Sequence, residues 1–136
     1  MSTRSRIGLM LHDGTIKQIY CHNDGEIGDV GYTLFNNYNK ESIVKELINL
    51  GNLSVLGDRL HTDEPHSFQA PVEGVTIAYS RDRGEDEQEP VIVSLDEWMS
   101  ESYTNSIEYY YLYSGGKWEV YDLYDNDGWK SLESFF

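Results

Sequence analysis

The stretch IGLMLHDGTIKQIY, Ile7 to Tyr20, decides the fold. Ile7, Leu9 and Leu11 alternate up to Asp13-Gly14, and Ile16, Gln18 and Tyr20 alternate after it. A period of two marks strands, because successive side chains point to opposite faces of a sheet. Asp-Gly supplies the two positive-φ positions of a type I′ turn, so the stretch reads as a β-hairpin. Two-residue closure predicts Leu11 opposite Ile16, Leu9 opposite Gln18 and Ile7 opposite Tyr20. One face is then mostly apolar and suited to pack on helices, while Met10, His12, Lys17, Ile19 and Cys21 take the other.

Outward from the hairpin, Asn23-Asp24-Gly25 is turn chemistry, and Gly28-Asp29 offers a helix start with Asp29 as N-cap. Val30, Leu34, Phe35 and Tyr38 recur at helical spacing. From about Lys40, the residues Ile43, Val44, Leu47, Ile48 and Leu50 form one apolar stripe that Gly51 ends. Leu53, Val55 and Leu56 read as a tucked-in loop, and 58–73, with Pro65 and Pro71, as a long one. Val75, Ile77 and Tyr79 suit a short strand, Ser80 to Glu89 (SRDRGEDEQE) a mobile polar stretch, and Val91-Ile92-Val93 another strand. Ser94 and Glu97 fit a capping box that opens a short helix with Trp98 and Met99. Ile107–Tyr113 and Lys117–Tyr124 form a second hairpin around Gly115-Gly116, with Tyr113 beside Trp118, Tyr111 beside Val120 and Tyr110 beside Tyr121. The expectation is a single domain over residues 1–136, of α+β class. Its sheet is antiparallel, four to six strands built from two hairpins, with two or three helices packed on one face.

Composition bounds function. At 136 residues, 39% hydrophobic and 13% aromatic, the chain is sized and equipped for one real core. One cysteine excludes an internal disulfide framework and any multi-Cys zinc site. The longest apolar run is short, as at Leu9–Leu11, so no segment reads as a membrane span. The basic start at Arg4 and Arg6 is followed by an apolar stretch that stops at His12-Asp13, which predicts no export signal and a cytoplasmic protein. A formal charge of −14 argues against direct binding to nucleic acid or to anionic membranes. From Gly84 onward only Lys117 and Lys130 oppose thirteen acids. That imbalance reads either as a solvated surface or as an acidic face for a basic partner.

Catalytic motifs are missing. Cys21-His22 are neighbours on a strand and point to opposite faces, so they cannot act as a nucleophile–base pair. The bland reading makes Cys21 a half-buried small hydrophobe and His22 a turn cap. His12, His22 and Asp24 cannot share a zinc ion, because His12 lies at the turn and His22 at the far end. Asp125-Asn126-Asp127-Gly128 fails as a calcium loop, since Leu123 and Ser134 occupy ligand positions that need acids. No cofactor is called for. Arg81-Asp82-Arg83-Gly84-Glu85 reads in two ways: an Arg fork for a carboxylate or phosphate, or arginines paired internally with Asp82, Glu85 or the acids at 86, 87 and 89.

The tyrosines are the remaining signal. Tyr103, Tyr109, Tyr110, Tyr111, Tyr113, Tyr121 and Tyr124 are interspersed with Glu108, Glu119, Asp122 and Asp125. Tyr110 and Tyr121 point to one face of the second hairpin, Tyr109, Tyr111 and Tyr113 to the other. The expectation is that one face exposes aromatic hydroxyls beside carboxylates, as interface anchors do. Glu108, Tyr110, Glu119, Tyr121, Asp122, Asp125 and Asp127 are the predicted partner-binding residues.

The strings RIGLMLHDGTIKQIYCHNDGEIGDVG, the LIxLGxLSxLG passage at Leu47–Gly57 and GVTIAYSRDRGE at Gly74–Glu85 together resemble a group of small acidic proteins of bacteriophages and prophages. The resemblance covers about two-thirds of the chain; it implies a viral accessory role and carries over no catalytic residues. With it, the sequence predicts a non-enzymatic protein that binds and inhibits a host protein, as an anti-defence inhibitor. Rows of carboxylates could then imitate a nucleic-acid backbone toward a basic nucleic-acid-binding protein. The alternative is a binder of, or enzyme acting on, a nucleotide-like ligand, with Arg81 and Arg83 as anion contacts.

Overall fold

The computed structural model describes residues 3–85, 90–100, 106–125 and 127–136. In it, β1 (Ser5–Met10) and β2 (Ile16–Cys21) form the first hairpin. A π-helical turn (Ile27–Gly31) runs into α1 (Tyr32–Asn37), and α2 (Glu41–Asn49) follows. Then come β3 (Leu53–Val55), β4 (Ile77–Ala78), α3 (Tyr79–Arg83), β5 (Val91–Val93) and α4 (Leu95–Ser100). The second hairpin, β6 (Tyr109–Ser114) and β7 (Lys117–Asp122), leads to β8 (Trp129–Ser131) and a 3₁₀ turn at Leu132–Phe135. The class is α+β, but the sheet is larger than expected and mixed. Eight strands run in the order β4-β3-β2-β1-β6-β7-β8, with β5 also on β2. The β1–β6 and β2–β3 pairs are parallel. Pairing β1 with β6 joins the two predicted hairpins into one sheet.

Register separates the two hairpins. The second pairs as its sequence predicts, Tyr110 with Tyr121, Tyr111 with Val120 and Tyr113 with Trp118. Gly115 and Gly116 both have positive φ, as a type I′ turn needs. The first hairpin is shifted by one residue: Ile7 pairs with Ile19, Leu9 with Lys17 and Met10 with Ile16. Its loop has three residues. Gly14 N–H donates to Leu11 O, Leu11 N–H donates to Thr15 O, and of Asp13 and Gly14 only Gly14 (φ 84°) is left-handed. This is a type I turn closed by a left-handed glycine, and Asp13 holds it by accepting from the Thr15 N–H at 3.0 Å. A one-residue slip exchanges faces. Ile7, Leu9, Ile19 and Cys21 therefore share one face, and Ile16 and Gln18 turn to the other.

Both faces are covered, which corrects the expectation of helices on one side. On the first face, Val30, Leu34, Val44, Leu47 and Ile48 pack against Ile7, Ile19, Tyr111 and Val120. The second face holds Ile16, Val93, Ile107, Tyr110 and Leu112 around Trp98 of α4. Ser94 Oγ accepts from the Glu97 N–H at 3.2 Å and opens α4, so a local cap delivers Trp98 to the sheet. Trp98 is fully buried, edge-on to Tyr110 at 4.8 Å, and donates its indole N–H to Gln18 Oε1 at 3.2 Å. Truncating a buried indole of this kind costs about 3–5 kcal/mol.

Three smaller expectations change. Leu53–Val55 is a strand, because the His22 and Asn23 amides donate to the Leu53 and Ser54 carbonyls. The first helical segment starts at Ile27 after Glu26, so Asp29 lies inside its first turn and caps nothing. The expected strand shortens to Ile77–Ala78, and Tyr79 joins Ser80–Arg83 of the polar stretch in α3, which Gly84 closes at φ 74°. Residues 86–89 of that stretch and Tyr103 lie outside the described residues. No helix among the described residues is long and apolar enough to cross a membrane.

Candidate functional site

The predicted partner-binding residues do not stay together. Tyr110 is fully buried and donates its hydroxyl to the Trp98 carbonyl at 2.9 Å, so it presents nothing to a partner. Tyr111 and Tyr113 are buried on the other face. The expected face of exposed hydroxyls is absent from β6 because α4 covers one side and α1 and α2 the other. Tyr121 is half-buried, edge-on to Trp129 at 5.5 Å. Glu119 is exposed beside Ser131, and it faces away from Asp122, three positions along the same strand. Asp125 and Asp127 converge on Lys130, at 3.0 and 3.3 Å. The Asp127 N–H and then Lys130 lower the Asp125 pKa, while Asp125 and Asp127 raise that of Lys130.

Glu108 and Asp122 do meet, around Tyr124. Past the end of β7, Asp122 Oδ1 accepts the Tyr124 N–H at 2.9 Å in an Asx turn. That turn aims the ring back at β6, and its hydroxyl donates to Glu108 Oε1 at 2.6 Å. Tyr124 is 73% exposed, the most exposed large hydrophobic side chain of the described residues. The bond to Glu108, then its charge, pushes the Tyr124 hydroxyl pKa up. Tyr109 lies directly across from Asp122. Burial first, then the charges of Asp122, Glu26 and Glu108, raise its pKa too. Glu108 and Asp122 thus flank Tyr124 at one end of the sheet, and the charge of Glu26 reaches Tyr109. Among the described residues, no Lys, Arg or His forms an ion pair with Glu26, Glu108 or Asp122.

Sequence reasoning missed Tyr109, Tyr124 and Glu26 as members of this site. The Asp122-x-Tyr124 spacing was a usable signal, since Asp caps the amide two residues on. Glu26 carried none, because it enters from the loop after β2.

The predicted anion site is organised differently from the expectation. The Arg81 guanidinium donates to Asp82 Oδ1 and Oδ2 at 2.9 and 3.0 Å, and to the Leu60 and Thr76 carbonyls. Its donors are largely spent within the chain. Asp82 also accepts the Ala78 N–H at 2.8 Å and lies 3.4 Å from His66 Nε2. Burial works against the Asp82 charge, but the bonds from Arg81 and Ala78 outweigh it and hold its carboxyl below the usual range. His66 Nδ1 accepts the Val72 N–H at 2.9 Å. This cluster ties the loop of residues 58–74 to α3. Arg83 is half-exposed, stacks on Phe68 at 4.8 Å and reaches Glu85 at 3.7 Å.

Cys21 is fully buried rather than half-buried, and burial pushes its thiol up to about 12. His22 Nδ1 sits 2.7 Å from the Tyr20 hydroxyl. An open groove of about 380 Å³ lies between the C-terminal end of α1, at Asn36 and, just past it, Asn39, and the tip of the second hairpin at Lys117. It contains none of the predicted site residues. Compared with known proteins, the chain matches no family model, no curated protein and no solved structure.

Proposed function

We propose that this chain is a non-enzymatic accessory protein that binds a basic host protein and blocks it, with the Tyr124 knob as its contact. One observation carries the reading. Tyr124 stands 73% exposed yet is held at both ends, its amide by Asp122 and its hydroxyl by Glu108. An anchor already held in place loses less freedom on binding, and tyrosine is a favoured interface residue. Among the described residues no ion pair reaches Glu108 or Asp122, and unpaired carboxylates attract a cation from outside. The accessory role rests on the resemblance of the sequence to small acidic phage and prophage proteins, and an anti-defence role is proposed with it. Because Glu119 faces away and Asp125 and Asp127 share Lys130, the reading is of an acidic patch rather than a row imitating nucleic acid.

The test compares the native chain with a Glu108→Gln, Asp122→Asn, Tyr124→Ser variant as baits in host lysate, at low and high salt. Basic proteins should be captured by the native chain at low salt and lost at high salt. The variant, folded to the same melting temperature, should bind at least about thirtyfold more weakly, as loss of an anchor worth ~2 kcal/mol implies. Capture that ignores both the variant and the salt overturns the proposal.

A further inference from the structure

We infer that the outer edge of β5 accepts an extended basic chain segment as an added strand, a backbone-directed site separate from the Tyr124 knob. Leu11 N–H donates to Thr15 O, so the odd-numbered residues of β2 bond to β1 and the even-numbered ones face outward. On that outward side, Ile16 pairs with Val93 and Gln18 with Val91. Val91 and Val93 therefore use their amides on β2, and Ile92 turns its N–H and C=O away from the sheet. Among the described residues no strand pairs with that edge. The apolar side chains there are uncovered as well: Val91 is 55% and Ile92 57% exposed, although consecutive residues point to opposite faces. An unpaired edge carrying β-branched residues is the template that strand addition uses.

Charge selects the occupant. Between Gly84 and Trp98 the sequence holds six acids and neither lysine nor arginine. Of these, Asp96 and Glu97 are exposed directly after the strand. Lys17, across from Ile92, is engaged by Asn49 Oδ1 at 2.9 Å. A second copy would bring its own acids, the exposed Asp96 and Glu97 among them, to an edge that is already acidic, and like charges repel. A segment alternating basic and β-branched residues brings charge of the opposite sign to this acidic stretch, and its apolar side chains, all on one face, pack beside whichever of Val91 and Ile92 shares that face.

The experiment titrates the full chain with an alternating lysine–valine hexapeptide while following amide hydrogen exchange. The Ile92 N–H should exchange about tenfold more slowly at saturation, and a peptide of equal composition interrupted by proline should bind about tenfold more weakly. Ile92→Pro deletes the outward donor but leaves the Val91 and Val93 bonds, and proline is tolerated on edge strands. This variant should lose the peptide to a similar degree. If it fails to fold, the exchange and proline-peptide measurements still decide. An unprotected Ile92 N–H at saturation, equal binding of the interrupted peptide, or a dimer that protects Ile92 without peptide overturns the inference. The knob variant should leave Ile92 protection intact, so failure here and failure of the proposed function are distinguishable.

Discussion

At Gly8, one missing methyl group holds the second face of the sheet together. Gly8 lies in the middle of β1, and a Cβ built there would come 2.6 Å from Ile16 Cγ2 and 2.8 Å from Trp98 Cη2. Both neighbours are fully buried, so neither can swing aside. Gly8→Ala should therefore destabilise by about 1–3 kcal/mol, although alanine is the easier residue to order. The urea midpoint should fall with an unchanged slope; an unchanged midpoint would show that Trp98 packs elsewhere. A bare glycine between Ile7 and Leu9 reads as a weak point in a strand until the indole above it is known.

At the level of elements, α3 is short and depends on its clamp. Asp82 joins the Ala78 amide, Arg81 and His66, and its own carbonyl accepts the Phe68 N–H at 2.9 Å. Its folded pKa lies below the usual value while its unfolded pKa is ordinary, near ~3.9. The stabilisation is therefore complete above the unfolded value and is lost as pH falls through the folded one. Melting temperatures from pH 7 to 3 should hold until about pH 4 and drop below it. Asp82→Asn should lower stability by about 1–3 kcal/mol at pH 7 and flatten the acid limb. Equal acid limbs in the two proteins would assign the loss to other carboxylates. The exposed Lys45–Glu41 pair, at 3.9 Å, contributes little by comparison.

For the molecule as a whole, 24 acids against 10 Lys and Arg make charge repulsion a standing cost of folding. Raising sodium chloride from about 10 to about 200 mM shortens the screening length from ~30 Å to under ~10 Å. The melting temperature should rise over that range while capture of a basic partner weakens. Opposite signs in one titration separate self-repulsion from attraction. A melting temperature indifferent to salt would mean that the carboxylates are already compensated.

The amino-acid sequence by itself determined the parts whose forces are local. Gly115-Gly116 admits one tight turn, so the tyrosine register of β6 and β7 was readable, as were the apolar stripe of α2 and the cap at Ser94. Only the tertiary structure decided the rest. Asp13-Gly14 suits both a two-residue and a three-residue loop, and burial on both faces chose the second. The parallel union of β1 with β6, the meeting of β3 and β5 along one edge of β2, and the gathering of Glu26, Glu108 and Asp122 all join distant segments. Side-chain period is a property of neighbours in the chain and shows which residues share a face. Which strands pair, and which tyrosines are covered, follows from competition among many distant surfaces for the same buried space, and no local pattern records its outcome.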